Sequence, residues 1–318
     1  MSDSPPPARR PVEDRPVRIV SARPSIGLRF KEIWESRELL SYFVITDIKI
    51  KYKASALGIL WSMFAPAATL AIYWVVFGKI LPNSVPNFAL FLFAGLLIWN
   101  FFFGVIITST SVVVDRAGIV KKVAFPREIL ALSTVGTSFV YFLIQCGVMV
   151  IFMLALWHPP AWGMLWLLPL SIFALAVFAG SLGILLSAIN VYLRDTRHLI
   201  EVALQLWFFL TPIVYSFEHQ ISKKLHHVAV GNDHILNLTW LYFLNPVTPI
   251  VMTFQRVIYA QPTVRATSVP HVPYSVLPTW PTSTYLLLNL GVLAAGLVLF
   301  AIAITVFGRL EGNFAEEL

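Results

Sequence analysis

Two long stretches of this chain contain no charged side chain, and they limit its possible folds more than any other feature. No Asp, Glu, Lys or Arg occurs from Ile129 to Leu193 or from Ala266 to Gly308. Both stretches exceed the roughly 20 apolar residues that an α-helix needs to cross a bilayer. Charged residues make up 12% of the chain, whereas soluble domains carry about 25%. The sequence therefore predicts an all-α integral membrane protein.

Six apolar segments are long enough to be transmembrane helices. His158-Pro159-Pro160 divides the first uncharged stretch into two spans, because consecutive prolines lack amide donors and end a helix. Trp157 and Trp162 flank this break, as expected where a chain meets the lipid headgroups. The predicted spans are 56–80, 87–112, 129–157, 164–189, 199–216 and 283–308, and together they define a transmembrane domain over 56–308.

The chain ahead of the first span divides into two parts. Residues 1–24 are polar and rich in proline, so they are predicted to form a disordered cytoplasmic tail without the apolar core of a signal peptide. Residues 25–55 carry apolar side chains at three- and four-residue intervals, from Phe30 to Val44, with charged residues between them. This periodicity predicts an amphipathic helix at the membrane interface.

The distribution of basic residues predicts the orientation of the spans. With the N-terminus in the cytoplasm, 18 of the 23 Lys and Arg residues fall on the cytoplasmic side. Cytoplasmic loops are enriched in these residues, so the C-terminal tail 309–318 is also expected inside. The net charge of +7 is carried at the ends of apolar segments. This placement favours contact with anionic membrane lipids and argues against a nucleic-acid partner.

The segment between the fifth and sixth predicted spans is long and partly apolar. Residues 240–260 are apolar, but Pro246 and Pro249 interrupt them, and they are too few for two crossings. Irregular backbone at membrane depth is tolerated where protein encloses it or where it lines a cavity. We therefore expect two short re-entrant helices at 240–260, on the external side.

The sequence lacks the motifs of membrane enzymes and motors. It contains no G-x-x-x-x-G-K-[ST] loop for nucleotide phosphates, no G-x-S-x-G turn and no H-E-x-x-H pair. Ionisable residues are nearly absent from the middles of the spans, where ion-coupled transporters need them. We therefore expect no catalytic, cofactor or metal site in this chain, although histidines without regular ligand spacing lie in the external segment, at His219, His226, His227, His234 and His271.

Two loops on the predicted cytoplasmic side combine charges with aromatic residues. Residues 116–128 join the second and third spans, and residues 191–198 join the fourth and fifth. A membrane chain without a motor of its own needs a cytoplasmic partner, and short ordered loops of this kind can dock one. The same basic residues also fit a simple positive-inside signal. From the residues alone, both interpretations stay open.

Five segments form an ordered set along the chain: Asp47–Trp61 (DIKIKYKASALGILW), Phe91–Phe102 (FLFAGLLIWNFF), Val120–Glu128 (VKKVAFPRE), Asn190–Asp195 (NVYLRD) and Leu244–Pro249 (LNPVTP). The set resembles the permeases of ABC exporters for cell-surface polysaccharides and polyol phosphates, which include O-antigen, capsule, teichoic-acid and galactan exporters. The resemblance runs from about Trp34 to the C-terminus. The chain departs from the pattern at Thr46, where arginine is common, and at Ala131, where proline is frequent.

The resemblance implies a homodimer of permeases with two copies of a separate cytoplasmic ABC ATPase, which would hold ATP and Mg²⁺. It implies that one loop couples to the ATPase and that two segments act as a cytoplasmic and an external gate. The residues concerned are Val120, Lys121, Lys122, Phe125, Pro126, Arg127 and Glu128 for coupling, Lys49, Lys51, Tyr52 and Lys53 for the cytoplasmic gate, and Asn245, Pro246 and Pro249 for the external gate.

The substrate class implied by the resemblance is a glycan linked to lipid through a diphosphate. The gate lysines are placed to attract such a head, although positive-inside retention also explains them. Aromatic rings stack on sugars without fixing a register, although ordinary packing or lipid contact explains any single ring. The candidate channel aromatics are Trp61, Phe64, Tyr73, Trp74, Trp99 and Phe103.

The sequence is therefore interpreted as a permease subunit, not an enzyme, that exports a lipid-linked polysaccharide across the cytoplasmic membrane. One alternative is an ABC exporter permease for a small hydrophobic drug or lipid, which would normally lack an amphipathic helix followed by Asp47–Lys53. Another is a membrane glycosyl- or acyltransferase. That enzyme would have to use carboxylates at the membrane faces that lack a D-x-D motif or a histidine partner, namely Asp47, Asp115, Glu128 and Asp195.

Overall fold

The computed structural model describes residues 26–53, 55, 58, 60–80, 87–218, 228–230, 234–236, 239–261, 263–265 and 273–318. The disordered tail predicted for 1–24 lies outside the described residues. So do the external histidines His219, His226, His227 and His271.

The described chain is built mainly from helices. The α-helices are α1 Ile26–Glu35, α2 Arg37–Tyr52, α3 Leu60–Val75, α4 Phe88–Asp115, α5 Ala117–Val120, α6 Glu128–Ala155, α7 Leu167–Tyr192, α8 Thr196–Leu210, α9 Val247–Ile258, α10 Thr282–Leu310 and α11 Phe314–Glu317. A π-helical turn follows α3 at Val76–Ile80, and 3₁₀ turns lie at Trp162–Met164, Thr239–Leu244 and Glu311–Asn313.

In the described part of the chain, four helices are long and apolar enough to cross a membrane, namely α4, α6, α7 and α10. The shortest of them, α7, has 26 residues, which is about 39 Å at the helical rise. The hydrocarbon core of a bilayer is roughly 30 Å thick. These helices correspond to the second, third, fourth and sixth predicted spans, and the chain is a multi-pass membrane protein.

The first and fifth predicted spans correspond to shorter helices. α3 has 16 residues with Pro66 inside it, and a π-helical turn extends it to Ile80. α8 has 15 residues and ends at Leu210, just ahead of Pro212, whose ring removes an amide donor. Each α-helix alone is shorter than the ~20 residues of a full crossing. Helix length therefore supports four crossings, and the count of six stays a prediction.

The predicted amphipathic helix consists of two helices, and the second packs against a membrane span. α1 and α2 meet at Ser36, whose hydroxyl donates to the Glu32 carbonyl at 2.8 Å. α2 runs beside α6 in the same direction. Near its middle, Val44 lies so close to Gly136 that a methyl group there would be 2.7 Å from the valine side chain. α2 is therefore attached to the helix bundle along its length.

α4 forms the centre of the bundle. Its side chains are buried without interruption from Phe88 to Trp99, and it packs against α6, α7, α8 and α9. α7 in turn packs along α10, where Gly296 permits a close approach. A methyl group on Gly296 would lie 3.0 Å from the amide nitrogen of Phe178. Ser181 donates to the Gly296 carbonyl across the same contact, at 3.1 Å.

The apolar segment 240–260 contains a helix break between two helical pieces. The 3₁₀ turn Thr239–Leu244 is followed by Asn245-Pro246 and then by α9. Nearly all of α9 is buried, against α4, α7 and α10, whereas Trp240 and Leu244 in the preceding turn are exposed. The sequence analysis did not predict the two antiparallel strand pairs in this region, which are β1 Val228–Val230 with β2 His234–Leu236, and β3 Thr263–Arg265 with β4 Pro273–Ser275.

Candidate functional site

The basic end of α2 lies beside the middle of α6. The Lys51 ammonium group is 3.9 Å from the centre of the Tyr141 ring, a cation–π distance. The rings of Tyr52 and Tyr141 meet edge to face, with centroids 6.4 Å apart. Lys49, Lys51 and Lys53 are all exposed, and of the three only Lys51 has such a ring contact among the described residues. Lys51 and Tyr52 are therefore the predicted gate residues that contact α6.

Lys51 and Tyr52 border a cleft of about 340 Å³ between α2, α3, α4 and α6. At its wall, the side-chain nitrogen of Asn100 donates to the side-chain oxygen of Gln145 at 3.2 Å. The cleft combines a cation, two phenols, two amides and an indole face. Its lining residues are Lys51, Tyr52, Trp61, Ser62, Ala65, Pro66, Asn100, Phe101, Gly104, Ser138, Tyr141, Phe142 and Gln145.

The predicted channel aromatics fall into an exposed and an enclosed group. Trp61 is 49% exposed and Phe64 60% exposed, and their rings meet edge to face at 5.5 Å. Trp99, in contrast, is 6% exposed, because it packs against neighbouring aromatic rings of α4 and α8. Within this chain Trp99 is a core residue. The remaining candidates are Trp74 and Phe103, which are exposed, and Tyr73, which is half-buried beside Phe77.

The loop between α4 and α6, Val120–Glu128, exposes basic side chains, while other residues of the loop pack against the helix bundle. Val120 is buried at the end of α5, and Phe125 packs on Phe43 of α2 with ring centroids 6.1 Å apart. Lys121 and Lys122 between these anchors are exposed. This α4–α6 loop therefore holds two cations outward in a fixed position, as a docking surface requires.

A charge cluster of Arg29, Arg127, Glu128 and Glu311 lies where this loop enters α6 after Pro126. The Arg29 guanidinium is paired with both Glu128 and Glu311. Arg127 donates to the backbone carbonyl of Glu311 at 2.5 Å. Burial by itself would lower the pKa of Arg29. The pairing with Glu311 and Glu128 outweighs burial, so the pKa of Arg29 is raised. The charge cluster joins α1, the loop and the C-terminal turn.

Sequence reasoning included Arg127 and Glu128 but missed Arg29 and Glu311. The two ion pairs of Arg29 join residues 99 and 282 positions apart, so no local pattern reveals them. The available signal was weak. Arg29 interrupts an apolar part of the amphipathic segment, and Glu311 lies three residues after Gly308, where the last uncharged stretch ends.

The four carboxylates that a membrane glycosyl- or acyltransferase would have to use do not form one site. Asp47 pairs with Arg116 at the junction of α2 and α4. Burial raises the pKa of Asp47, and the arginine opposes that rise. Glu128 belongs to the charge cluster, whereas Asp115 and Asp195 are exposed. Among the residues that the structure describes, no three His, Cys, Asp or Glu side chains gather in a possible metal site.

Asn245 attaches the start of α9 to the end of α8. Its side-chain oxygen accepts a hydrogen bond from the Trp207 indole at 2.8 Å, and its side-chain nitrogen donates to the Thr211 hydroxyl at 2.9 Å. Pro246 directly precedes α9, and Pro249 is buried in its first turn. The three residues predicted for an external gate thus lie together at one helix junction.

Further polar side chains inside the bundle position α9, and the sequence analysis missed them. The Gln255 amide donates to the Pro212 carbonyl at 3.1 Å, which links α9 to the chain after α8. The Asn289 amide of α10 donates to the Thr253 hydroxyl at 2.9 Å. These side chains are buried, and buried polar groups are normally hydrogen-bonded. In the sequence, these residues could have been noticed as polar side chains at helix positions that are otherwise apolar.

Comparisons with known proteins agree with this architecture. The family described as "ABC-2 type transporter" matches residues 39–259, more than half of the chain. An "O-antigen export system permease protein RfbA" of Myxococcus xanthus is 29% identical over 229 residues, which cover 72% of this chain and 83% of that protein. A protein of the same name from Klebsiella pneumoniae is 25% identical over 281 residues, which cover 88% of this chain and 95% of that protein. This chain therefore belongs to the ABC-2 type transporter family and is a membrane-spanning transport subunit.

Proposed function

We propose that this chain is the permease subunit of an ATP-driven ABC exporter for a lipid-linked cell-surface polysaccharide, such as an O-antigen. The observation that carries this proposal is the similarity to O-antigen export permeases, which extends over 88% of the chain and 95% of one relative. Transport runs from the cytoplasm to the outer side of the cytoplasmic membrane, with both termini inside and six crossings in all.

The energy for transport comes from a separate ABC ATPase, which binds ATP and Mg²⁺. Two permeases and two ATPase subunits form the working complex. The α4–α6 loop supports this assignment, because Lys121 and Lys122 are exposed while Val120 and Phe125 hold the loop against the bundle. A force applied to such a loop reaches α2 and α6 directly.

The path of the glycan follows the exposed aromatic side chains of α3. Trp61 and Phe64 present their rings outside the packed core, and stacked rings let a sugar chain slide because they fix no register. The helix junction at Asn245 forms the external gate.

Co-purification with a candidate ABC ATPase from the same organism tests the proposal. Lys121→Ala combined with Lys122→Ala is expected to weaken ATPase binding about tenfold, which corresponds to ~1.4 kcal/mol, because it removes two exposed charges from the docking loop. The same pair of substitutions should reduce surface polysaccharide in a complemented deletion strain. Quantitative pull-down and surface polysaccharide staining measure the two effects.

The matched control is Lys31→Ala, which removes an exposed lysine of α1 whose ion pair with Glu35 spans 3.8 Å. Surface ion pairs of this kind contribute little, so ATPase binding should stay unchanged. The proposed function would be overturned if a strain that lacks the gene kept its surface polysaccharide. It would also be overturned if the permease purified without any bound ATPase.

A further inference from the structure

The cleft between α2, α3, α4 and α6 places polar groups deep within the membrane-spanning helices. Gln145 lies about 26 Å from the start of α6, and Asn100 lies about 23 Å from the end of α4 at Asp115, at 1.5 Å per residue. Their mutual hydrogen bond is exposed. Polar groups at this depth face a cavity or a protein partner, because lipid offers them no hydrogen bonds.

Lys51 brings a positive charge to a similar depth. α2 carries it alongside α6 to the level of Tyr141, about 20 Å from the start of α6 at the helical rise. The only contact of its ammonium group with an aromatic ring among the described residues is the one with Tyr141. Salt bridges in the described chain do not include Lys51. A cation at this depth favours water or an anionic ligand over lipid.

The two phenols beside Lys51 have unused hydrogen-bonding capacity. The hydroxyl oxygens of Tyr52 and Tyr141 are buried, and apart from their mutual contact they lack partners with hydrogen-bonding geometry in the described chain. Buried hydroxyl groups are normally satisfied. The charge of a ligand with phosphate oxygens would pair with Lys51, and a small rotation of the Tyr52 or Tyr141 ring would turn its hydroxyl towards those oxygens.

An aromatic face completes the cleft. Trp61 lines it from α3 and is about half exposed, so its ring is free to cover one side of a ligand. The volume of about 340 Å³ lies at the lower end of the ~300–1,000 Å³ typical of small-molecule sites. It suits one sugar with its phosphate.

We propose that this cleft binds the sugar-phosphate end of an amphiphilic glycan. Lys51, Tyr52 and Tyr141 hold the phosphate, Asn100 and Gln145 bind sugar hydroxyls, and Trp61 covers the apolar face of the sugar ring. The proposal rests on the proposed export function and adds Asn100, Tyr141 and Gln145 as residues that recognise the substrate. It predicts selection for the first sugar of the glycan as well as for its lipid carrier.

Thiol protection in the full chain tests this assignment. Ser62→Cys, made in a Cys146→Ser background and placed in lipid nanodiscs, puts a thiol on the cleft wall with little change in size. A charged methanethiosulfonate reagent should label it readily. Farnesyl diphosphate linked to N-acetylglucosamine should slow labelling at least tenfold, farnesyl diphosphate clearly less, and phosphatidylglycerol not at all.

Recognition by the amide pair is tested in the same assay. Asn100→Leu and Gln145→Leu should each abolish the extra protection by the sugar while keeping the smaller effect of the diphosphate. Gln205→Leu is the matched control, because Gln205 is an exposed glutamine on α8 outside the cleft, and it should leave protection unchanged.

Three outcomes overturn the proposal: no labelling of Ser62→Cys without a probe, equal protection by all three probes, and no protection by any of them. Failure to label Ser62→Cys without any probe means that lipid or a second protein surface covers the cleft. Equal protection by all three probes means that the cleft accepts any phosphate head and does not recognise sugar. The assay contains no ATPase and measures no export. A deletion strain that keeps its surface polysaccharide would therefore defeat the proposed function alone, and an unprotected thiol would defeat the cleft assignment alone.

Discussion

Arg29 shows how one side chain can bind distant parts of this fold together. It is 8% exposed and lies between Glu128, which is 1% exposed, and Glu311. A carboxylate as deeply buried as that of Glu128 is tolerated when a partner compensates its charge. The charge cluster thus links α1 and the C-terminal turn to the loop that we assign to ATPase docking.

Arg29→Gln is expected to destabilise the protein by about 3–5 kcal/mol, because it leaves Glu128 buried without its charged partner. Thermal unfolding of the detergent-solubilised protein measures the change. Arg37→Gln is the control, since Arg37 is exposed and should have little effect. Adding Glu128→Gln to Arg29→Gln should restore part of the loss, and no recovery would contradict the charge-pairing argument.

Single residues also show the limit of a sequence prediction. Trp61 and Trp99 were equal candidates for the channel, yet Trp61 is 49% exposed and Trp99 only 6%. Both residues lie in strongly apolar segments, so hydropathy does not separate them. The difference arises because α8 brings Phe208 against Trp99, with ring centroids 5.4 Å apart.

At the scale of elements, the contact between α7 and α10 depends on small residues. Gly296 lies against the backbone of Phe178, and Ser181 donates a hydrogen bond across the contact. Small residues at helix contacts in membranes let backbones approach, so that dispersion and interhelical hydrogen bonds hold the pair. The close approach explains why α10, which follows the irregular external segment, is fixed to the bundle.

Gly296→Ala should destabilise the protein by roughly 1–3 kcal/mol, because a methyl group there would lie 3.0 Å from the Phe178 amide nitrogen and 3.2 Å from its Cα. The measurement is again thermal unfolding in detergent. Gly291→Ala on the same helix has open space around its added methyl group and should be neutral or stabilising. Equal effects of the two substitutions would argue against a tight helix contact at Gly296.

At the same scale, the long helices were predictable and the short ones less so. α4, α6, α7 and α10 follow from apolar runs longer than a bilayer requires. The break at Pro246 followed from the chemistry of proline. The end of α8 at Leu210 lies just ahead of Pro212, which lacks an amide donor, whereas the break at Ser36 has no counterpart in the apolar periodicity.

At the scale of the whole molecule, the orientation in the membrane sets which surfaces meet the ATPase and which meet the outside. Lys121 and Lys122 lie at one end of α4 and α6, and the exposed turn with Trp162 lies beyond the other end of α6. The excess of basic residues at the first end predicts that this end lies in the cytoplasm. The proposed external gate around Asn245 would then face outward.

Cysteine labelling measures this orientation. In a Cys146→Ser background, a membrane-impermeant maleimide applied to spheroplasts should label Trp162→Cys but not Lys121→Cys, because the basic loop is retained inside. Permeabilisation should make Lys121→Cys reactive, which serves as the control for accessibility. The opposite labelling pattern would reverse the orientation and remove the basis for docking the ATPase at the α4–α6 loop.

By itself, the sequence determined that this protein is a membrane-embedded helical chain, because charge-free runs and proline breaks act locally and need no knowledge of distant residues. It also predicted a coupling loop and an external gate, whose residues lie at the α4–α6 loop and at the junction of α8 and α9. Only the tertiary structure decided which side chains share a site. It placed Lys51 on Tyr141, Arg29 on Glu128, and Asn100 on Gln145. These contacts join residues that are far apart in the chain, and helix packing, rather than local periodicity, brings them together.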